Sequence, residues 1–287
     1  MFSLRGPVSI ELILGERTET LDVGEWERVI AKLAPFINEY RLSGIADLLE
    51  NHGEAGKKVL FGVMAGLDKI GKFYHVEIER PLPDFVGLVQ EFRAFSHLGS
   101  LLISLPSLNS GVYREITGRD DLQATTEMVE VANSAGFEVN TRVLLCQRNC
   151  ADVMELAEES FALGVNYVVF YRCVGEANSA LAAHKDTLLE ALESIKQMRL
   201  FGYNVALGNC VPNCFHLSDS YGCMAGVLSA VVDARGNMRP CHSSRRSVGN
   251  LLESGVTELW RSEVMVQWEI MVPSVPFSRH SFISESI

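Results

Sequence analysis

The chain has 287 residues, 47% hydrophobic and 21% charged, enough apolar material for one large or two unequal domains. Its 25 Lys and Arg against 36 Asp and Glu leave a net charge of −11, which repels phosphate backbones and argues against nucleic acid as a partner. No apolar run approaches the ~18 residues of a membrane span, and Met1–Pro7 carries no signal-peptide block, so the expected location is the cytoplasm, with no membrane partner. Val8–Leu14 reads as a strand. It is followed by a helix whose apolar face, Trp26, Val29, Ile30, Leu33 and Ile37, has a 3.6 period and is entered through a capping box, Asp22 with Glu25 three residues on. Further strands are expected at Tyr40–Ser43, Lys58–Val63, Leu101–Leu105, Val139–Leu145 and Asn166–Tyr171, mostly as parallel strands buried on both faces. Helices are expected at Leu122–Ala135, Val153–Leu163 and Leu188–Phe201, entered at Asp120-Asp121, Asp152 and Asp186-Thr187 and stopped by Gly136, Gly164 and Gly202. Six βα units by residue 202 are too few for a closed eight-fold barrel, so the expected fold is α/β, a partial (β/α)6 barrel over residues 1–203, with ligands at the carboxyl ends of its strands.

Residues 208–250 change texture, being rich in Gly, Asn, Ser, Pro and Cys. Val227–Val232, the turn Ala234-Arg235-Gly236-Asn237 and Met238-Arg239-Pro240 predict a hairpin. Four of the seven cysteines flank it, Cys210, Cys214, Cys223 and Cys241. Antiparallel pairing brings Cys223 and Cys241 to one end, where Cys214 and Cys210 can join them. An odd number of cysteines without a secretory signal favours buried, reactive or metal-bound thiols over disulfides. The uneven spacing favours an iron–sulfur cluster, with zinc and plain buried thiols as the alternatives.

Cys223-Met224-Ala225-Gly226, Val231 to Cys241, Val248-Gly249-Asn250 and Leu259-Trp260 resemble the opening half of a SPASM domain, the auxiliary iron–sulfur extension of radical SAM maturases. The first 200 residues are similar to the partial barrel of the same enzymes, most clearly in Leu102–Ser107 with Tyr113–Gly118, and in the units from Gly136 to Gly175. The resemblance implies one auxiliary [4Fe–4S] cluster on Cys210, Cys214, Cys223 and Cys241, in a truncated SPASM-like domain at 204–287. It also implies a peptide or small-protein substrate. Ser104, Asn140 and Arg142 are the implied cofactor-facing set. Asn140 and Arg142 alternate along one strand face at the height where the family binds SAM, with a salt bridge from Arg142 to a neighbouring strand or loop carboxylate as the alternative.

The departures shape the functional expectation. The loop after the first strand, where the family carries Cys-x3-Cys-x2-Cys, reads Leu14-Gly15-Glu16-Arg17-Thr18-Glu19-Thr20-Leu21 without a thiol. Carboxylates are poor substitutes for thiolates at such a cluster. The SAM-binding Gly-Gly-Glu-Pro has only Ser43-Gly44-Ile45-Ala46-Asp47 as its counterpart, and the later SPASM cysteines are absent. The expected protein is therefore a degenerate homologue without radical chemistry, binding a peptide or serving an active maturase as partner, with SAM deprived of its anchor. The alternatives are an active maturase drawing ligands from Cys146, Cys150 and Cys173 or from a partner chain, and a truncated gene product. His216 and His242 are candidate donors near the cluster cysteines, and Trp268, in the apolar stretch Val264–Phe277, is a candidate association surface.

Overall fold

A computed structural model describes residues 6–172, 180–208, 225–242, 244 and 246–266. In chain order the elements are β1 (Ser9–Ile13), α1 (Val23–Leu33), β2 (Glu39–Ser43), α2 (Ile45–Lys69), β3 (Phe73–Ile78), α3 (Phe85–Phe92), β4 (Leu98–Ser104), α4 (Ser110–Thr117) and α5 (Leu122–Ser134). They continue as β5 (Val139–Leu145), α6 (Val153–Ala162), β6 (Tyr167–Arg172), α7 (Lys185–Leu200), β7 (Val205–Leu207), β8 (Ser229–Val232), β9 (Asn237–Arg239), β10 (Gly249–Asn250) and α8 (Val256–Trp260). The fold is α/β with a parallel sheet, as expected. Residues 6–99 and 225–266 pack as one compact unit and residues 100–208 as another.

In the first unit the strand order is β10-β9-β8-β1-β2-β3. β1 lies parallel to both β2 and β8, so the first strand of the hairpin extends the sheet of the βα units, and β9 turns back antiparallel on β8. The α1 capping box forms as the sequence predicts, with the Glu25 amide donating to Asp22 at 2.8 Å and the Asp22 amide to Glu25 at 3.1 Å. Trp26, Val29, Ile30 and Leu33 of α1 are buried, while Ile37 is buried just beyond the helix end.

In the second unit β4-β5-β6-β7 are parallel neighbours, linked by helices that end on glycines with left-handed backbone, φ +86° at Gly136 and +88° at Gly164. Only glycine adopts that conformation without steric cost.

Three expectations are corrected. Lys58–Val63 is not a strand but the interior of α2; its buried Gly56, Val59, Leu60, Val63, Met64 and Leu67 recur at helical spacing, and the strand lies instead at Phe73–Ile78. The strands are not uniformly apolar on both faces: β5 alternates buried and half-buried residues along its length. Helix α7 begins at Lys185 behind His184, ahead of the expected Asp186-Thr187 start. Among the described residues no helix is long and apolar enough to cross a membrane. Cys173, Cys210, Cys214, His216, Cys223 and Trp268 lie outside the described residues.

Candidate functional site

The first unit gathers charge on one face of its sheet. Ile10, Leu12, Tyr40, Leu42, Tyr74 and Val76 are at most 3% exposed and pack towards the helices. The two-residue period then sends Glu11, Arg41, Ser43 and Glu77 to the opposite face. Register sets Glu11 directly beside Arg41. Glu11 accepts from the Arg41 guanidinium and, at 2.6 Å, from the Ser43 hydroxyl, while Nδ1 of His242 lies 3.3 Å from its carboxylate. Arg41 Nε lies 3.4 Å from Glu77, so one guanidinium bridges two buried carboxylates. Burial alone raises the Glu11 pKa, but the charges of Arg41 and His242 and the hydrogen bonds of His242 and Ser43 outweigh it and hold the carboxyl well below its ordinary range. Glu79, two residues beyond Glu77 on the same side, behaves oppositely. Burial and the nearby Glu77 charge push it up to about 7, despite the amides of Gly44, at 2.5 Å, and Ala46 donating to it at the start of α2.

The loop after β1 is closed by its own contacts. The Glu16 and Glu19 amides and carbonyls bond reciprocally at 3.2 and 3.1 Å around Arg17, whose φ of +57° is left-handed. The Arg17 amide donates to Asp47 and its carbonyl accepts from Asn51 at 2.6 Å, both from α2. A side chain at Gly15 would meet the Leu48 amide nitrogen at 2.5 Å, so the loop sits directly on backbone there. Glu16 pairs with Arg239 at 3.8 Å and Glu19 with Arg235.

The hairpin predicted around Gly236 is present. Asp233 accepts from the Arg235 and Asn237 amides at 3.0 Å each and builds the turn, with Gly236 at φ +84°. Cys241, half-buried and not in a disulfide, lies two residues past β9, and His242 follows it against Glu11.

In the second unit Ser104 and Arg142 are register partners on β4 and β5. Asn140, on the same face as Arg142, donates to Ser100 Oγ and to Glu138, each at 3.0 Å. The Arg142 guanidinium lies over the Tyr171 ring, 5.0 Å from its centroid. The opposite constraint on Tyr171 comes from Gly208, whose missing Cβ leaves the space that the ring fills. Cys146 and Cys150 are buried, and burial pushes the Cys146 thiol up. Asn149 fixes this turn by accepting from the Cys146 amide at 2.8 Å and donating to the Pro106 and Leu144 carbonyls at 2.9 Å. Among the described residues no group of three or more His, Cys, Asp or Glu is arranged to hold a metal ion. Glu11, Arg41, Glu77, Glu79 and Tyr171 were not identified from the sequence. Charged residues at alternate positions of Ser9–Ile13, Glu39–Ser43 and Phe73–Ile78 were the available signal.

Residues 223–282 match the family model of SPASM, an iron–sulfur cluster-binding domain. The structure is similar to SuiB from Streptococcus suis, with a TM-score of 0.69 at 11% identity over 92% of this chain and 67% of that one. SuiB bound to its precursor peptide SuiA matches with a TM-score of 0.72 at 12% identity, over 94% and 67% of the two chains. anSMEcpe with bound AdoMet and Cp18Cys peptide matches at 0.66 and 13% identity, over 94% and 84%. No curated protein matches the sequence. The C-terminal match identifies a SPASM iron–sulfur cluster-binding domain at residues 223–282, and the structural matches show that the chain shares the fold of SuiB and anSMEcpe.

Proposed function

We propose that this chain is a SPASM-type iron–sulfur protein that holds one auxiliary [4Fe–4S] cluster and does not cleave SAM, its barrel-like part, residues 1–203, binding a peptide in the cytoplasm, alone or for an active maturase. The ligands would be Cys210, Cys214, Cys223 and Cys241, within a SPASM-like region at 204–287. The donor chemistry fits, because an all-thiolate set suits an iron–sulfur cluster and the half-buried Cys241 lies at the end of the hairpin. Such a cluster, when bound, supplies one-electron redox chemistry. The precursor-peptide complex of SuiB and the peptide complex of anSMEcpe support a peptide as the bound molecule. SuiB has also been solved with S-adenosylmethionine, so Ser104, Asn140 and Arg142 are assigned as the polar groups that would face a small molecule of that kind.

The observation that carries the loss of SAM cleavage is the loop after β1. It offers no thiol, and its two carboxylates are held by Arg235 and Arg239. These residues do not fit a SAM-binding cluster.

Anaerobic reconstitution with iron and sulfide, followed by iron counting and EPR, tests the assignment. About four irons per chain are expected, lost in Cys223→Ala and in Cys241→Ala. With SAM and a strong reductant, 5′-deoxyadenosine should stay at the level of a protein-free control. Stoichiometric zinc in place of iron would overturn the cluster, and sustained 5′-deoxyadenosine formation would overturn the loss of chemistry.

A further inference from the structure

Three acidic residues of β1 and its loop meet three basic residues of the hairpin in reverse order along the chain: Glu11 with His242, Glu16 with Arg239 and Glu19 with Arg235. We propose that this charge seam is the positioning device for Cys241: the loop that lacks cluster thiols has become the docking strip for the hairpin that presents one. The inference rests on the reading of Cys241 as a cluster ligand.

Both sides of the seam are fixed independently of it. On the acidic side, β1 is a central strand, and the loop is tied to α2 through Asp47 and Asn51. On the basic side, Asp233 builds the turn, Asn250 donates to the Arg235 carbonyl at 2.9 Å, and the Leu251 amide bonds to the Gly236 carbonyl at 2.9 Å. The β1–β8 and β8–β9 backbone ladders already hold the hairpin as far as Arg239, so the charged contacts add to that hold and act on the segment that runs on to Cys241. The rungs differ in strength. Each inner rung has one buried and one exposed partner, Glu11 at 6% against His242 at 62% and Arg239 at 13% against Glu16 at 49%, whereas Glu19 and Arg235 are both exposed, at 40% and 66%. The outer rung is therefore weak and salt-sensitive, and the inner two hold the segment that runs into Cys241.

The test is a charge-swap cycle on the full-length chain, with Arg239→Glu, Glu16→Arg and the double variant, and the same cycle at Glu19 and Arg235. In iron-free protein, hydrogen–deuterium exchange at residues 236–241 and the alkylation rate of Cys241 by iodoacetamide should rise about three- to five-fold in each single Arg239 or Glu16 variant, as expected for the loss of up to ~1 kcal/mol. They should return to wild-type values in the swapped double variant. In reconstituted protein, Arg239→Glu should lower the cluster reduction potential and Glu16→Arg should raise it, a pair of opposite shifts that simple loosening would not produce. Exchange and alkylation unchanged in the singles, or singles not rescued by the swap, would overturn the seam. Potentials that do not move in opposite senses would overturn its role at the cluster. A wild type that takes up no iron would instead remove the cluster reading, with the exchange cycle still deciding whether the seam docks the hairpin. Circular dichroism with Glu16→Gln as the conservative control separates loss of the seam from failure to fold.

Discussion

The inner faces of the two units use polar residues in opposite ways. Across β1, β2 and β3 the charges neutralise one another inside the protein: Glu11 and Glu77 share Arg41, and Glu79 sits on the amides that open α2. Across β4, β5 and β6 the groups are Ser104, Asn140 and Arg142, with Arg142 over the ring of Tyr171. Removing charges from water is costly unless each finds a partner of good geometry. The first face is therefore stable only as a complete network, whereas a guanidinium resting on an aromatic ring forms a smaller and more adaptable contact. The difference separates a structural charge network, beside the domain that carries the iron–sulfur signature, from the face on which the proposal places a small molecule.

The largest effect expected from this contrast is at Arg41. Arg41→Met leaves Glu11, 6% exposed, and Glu77, 5% exposed, without the guanidinium between them. Breaking a buried pair in this way should cost about 3 kcal/mol in urea unfolding. Replacing all three at once, with Glu11→Gln, Arg41→Met and Glu77→Gln, should cost less than the single change, because no buried charge is left uncompensated. A triple variant less stable than Arg41→Met would show that the three act by packing and not as a charge network.

The next effect is a pH dependence of opposite sign at two neighbouring carboxylates. Glu79 is raised to about 7 from 4.5, so between those values the folded chain holds a proton that the unfolded chain has released. Its contribution is full below about 4.5 and declines as the pH rises to about 7. Glu11 is lowered, so its contribution is complete above the unfolded value of 4.5 and is lost as the pH falls through its folded pKa. Thermal unfolding from pH 4.5 to 8 should therefore show a decline that Glu79→Gln flattens, by about 1–2 kcal/mol over the range. An unchanged slope in Glu79→Gln would assign the decline to other groups.

The parts of the fold legible in the sequence are those where local chemistry and tertiary packing agree. The Asp22 and Glu25 capping box, the helix-ending glycines and the Gly236 turn all depend on neighbouring residues, and they appear where they were read. At Lys58–Val63 a short apolar run has the look of a strand, but Gly56, Val59, Leu60, Val63 and Met64 form a helical stripe. The strand at Phe73–Ile78 is hidden in the sequence because His75 and Glu77 interrupt its apolar residues. That interruption is the functional information, since charged residues on the inner face of a parallel strand have to be paired. Arg41 with Glu11, and Arg239 with Glu16, are contacts between residues 30 and 223 positions apart, so no local pattern announces them. For the candidate site, the sequence suffices to propose Ser104, Asn140, Arg142 and Cys241, whereas the network joining Glu11 to His242 emerges only from the fold.

The smallest effect is expected on the other face. Arg142 makes its ring contact from a strand whose backbone is already held on both sides by β4 and β6, and the Tyr171 ring is kept in place by the packing space at Gly208. Removing the guanidinium leaves the backbone ladder intact, and the cation–π contact it forfeits is worth about 0.5–1 kcal/mol. Arg142→Met should therefore unfold in urea within about 1 kcal/mol of wild type, far from the loss at Arg41. The aromatic side of the same contact gives the control. Tyr171→Leu should cost more than Arg142→Met, because it also empties the space against Gly208, and leaving a cavity adds to the lost contact. If Arg142→Met destabilised the chain as much as Arg41→Met, the two faces would be alike, both structural networks, and the assignment of Ser104, Asn140 and Arg142 to a ligand would fall with the difference.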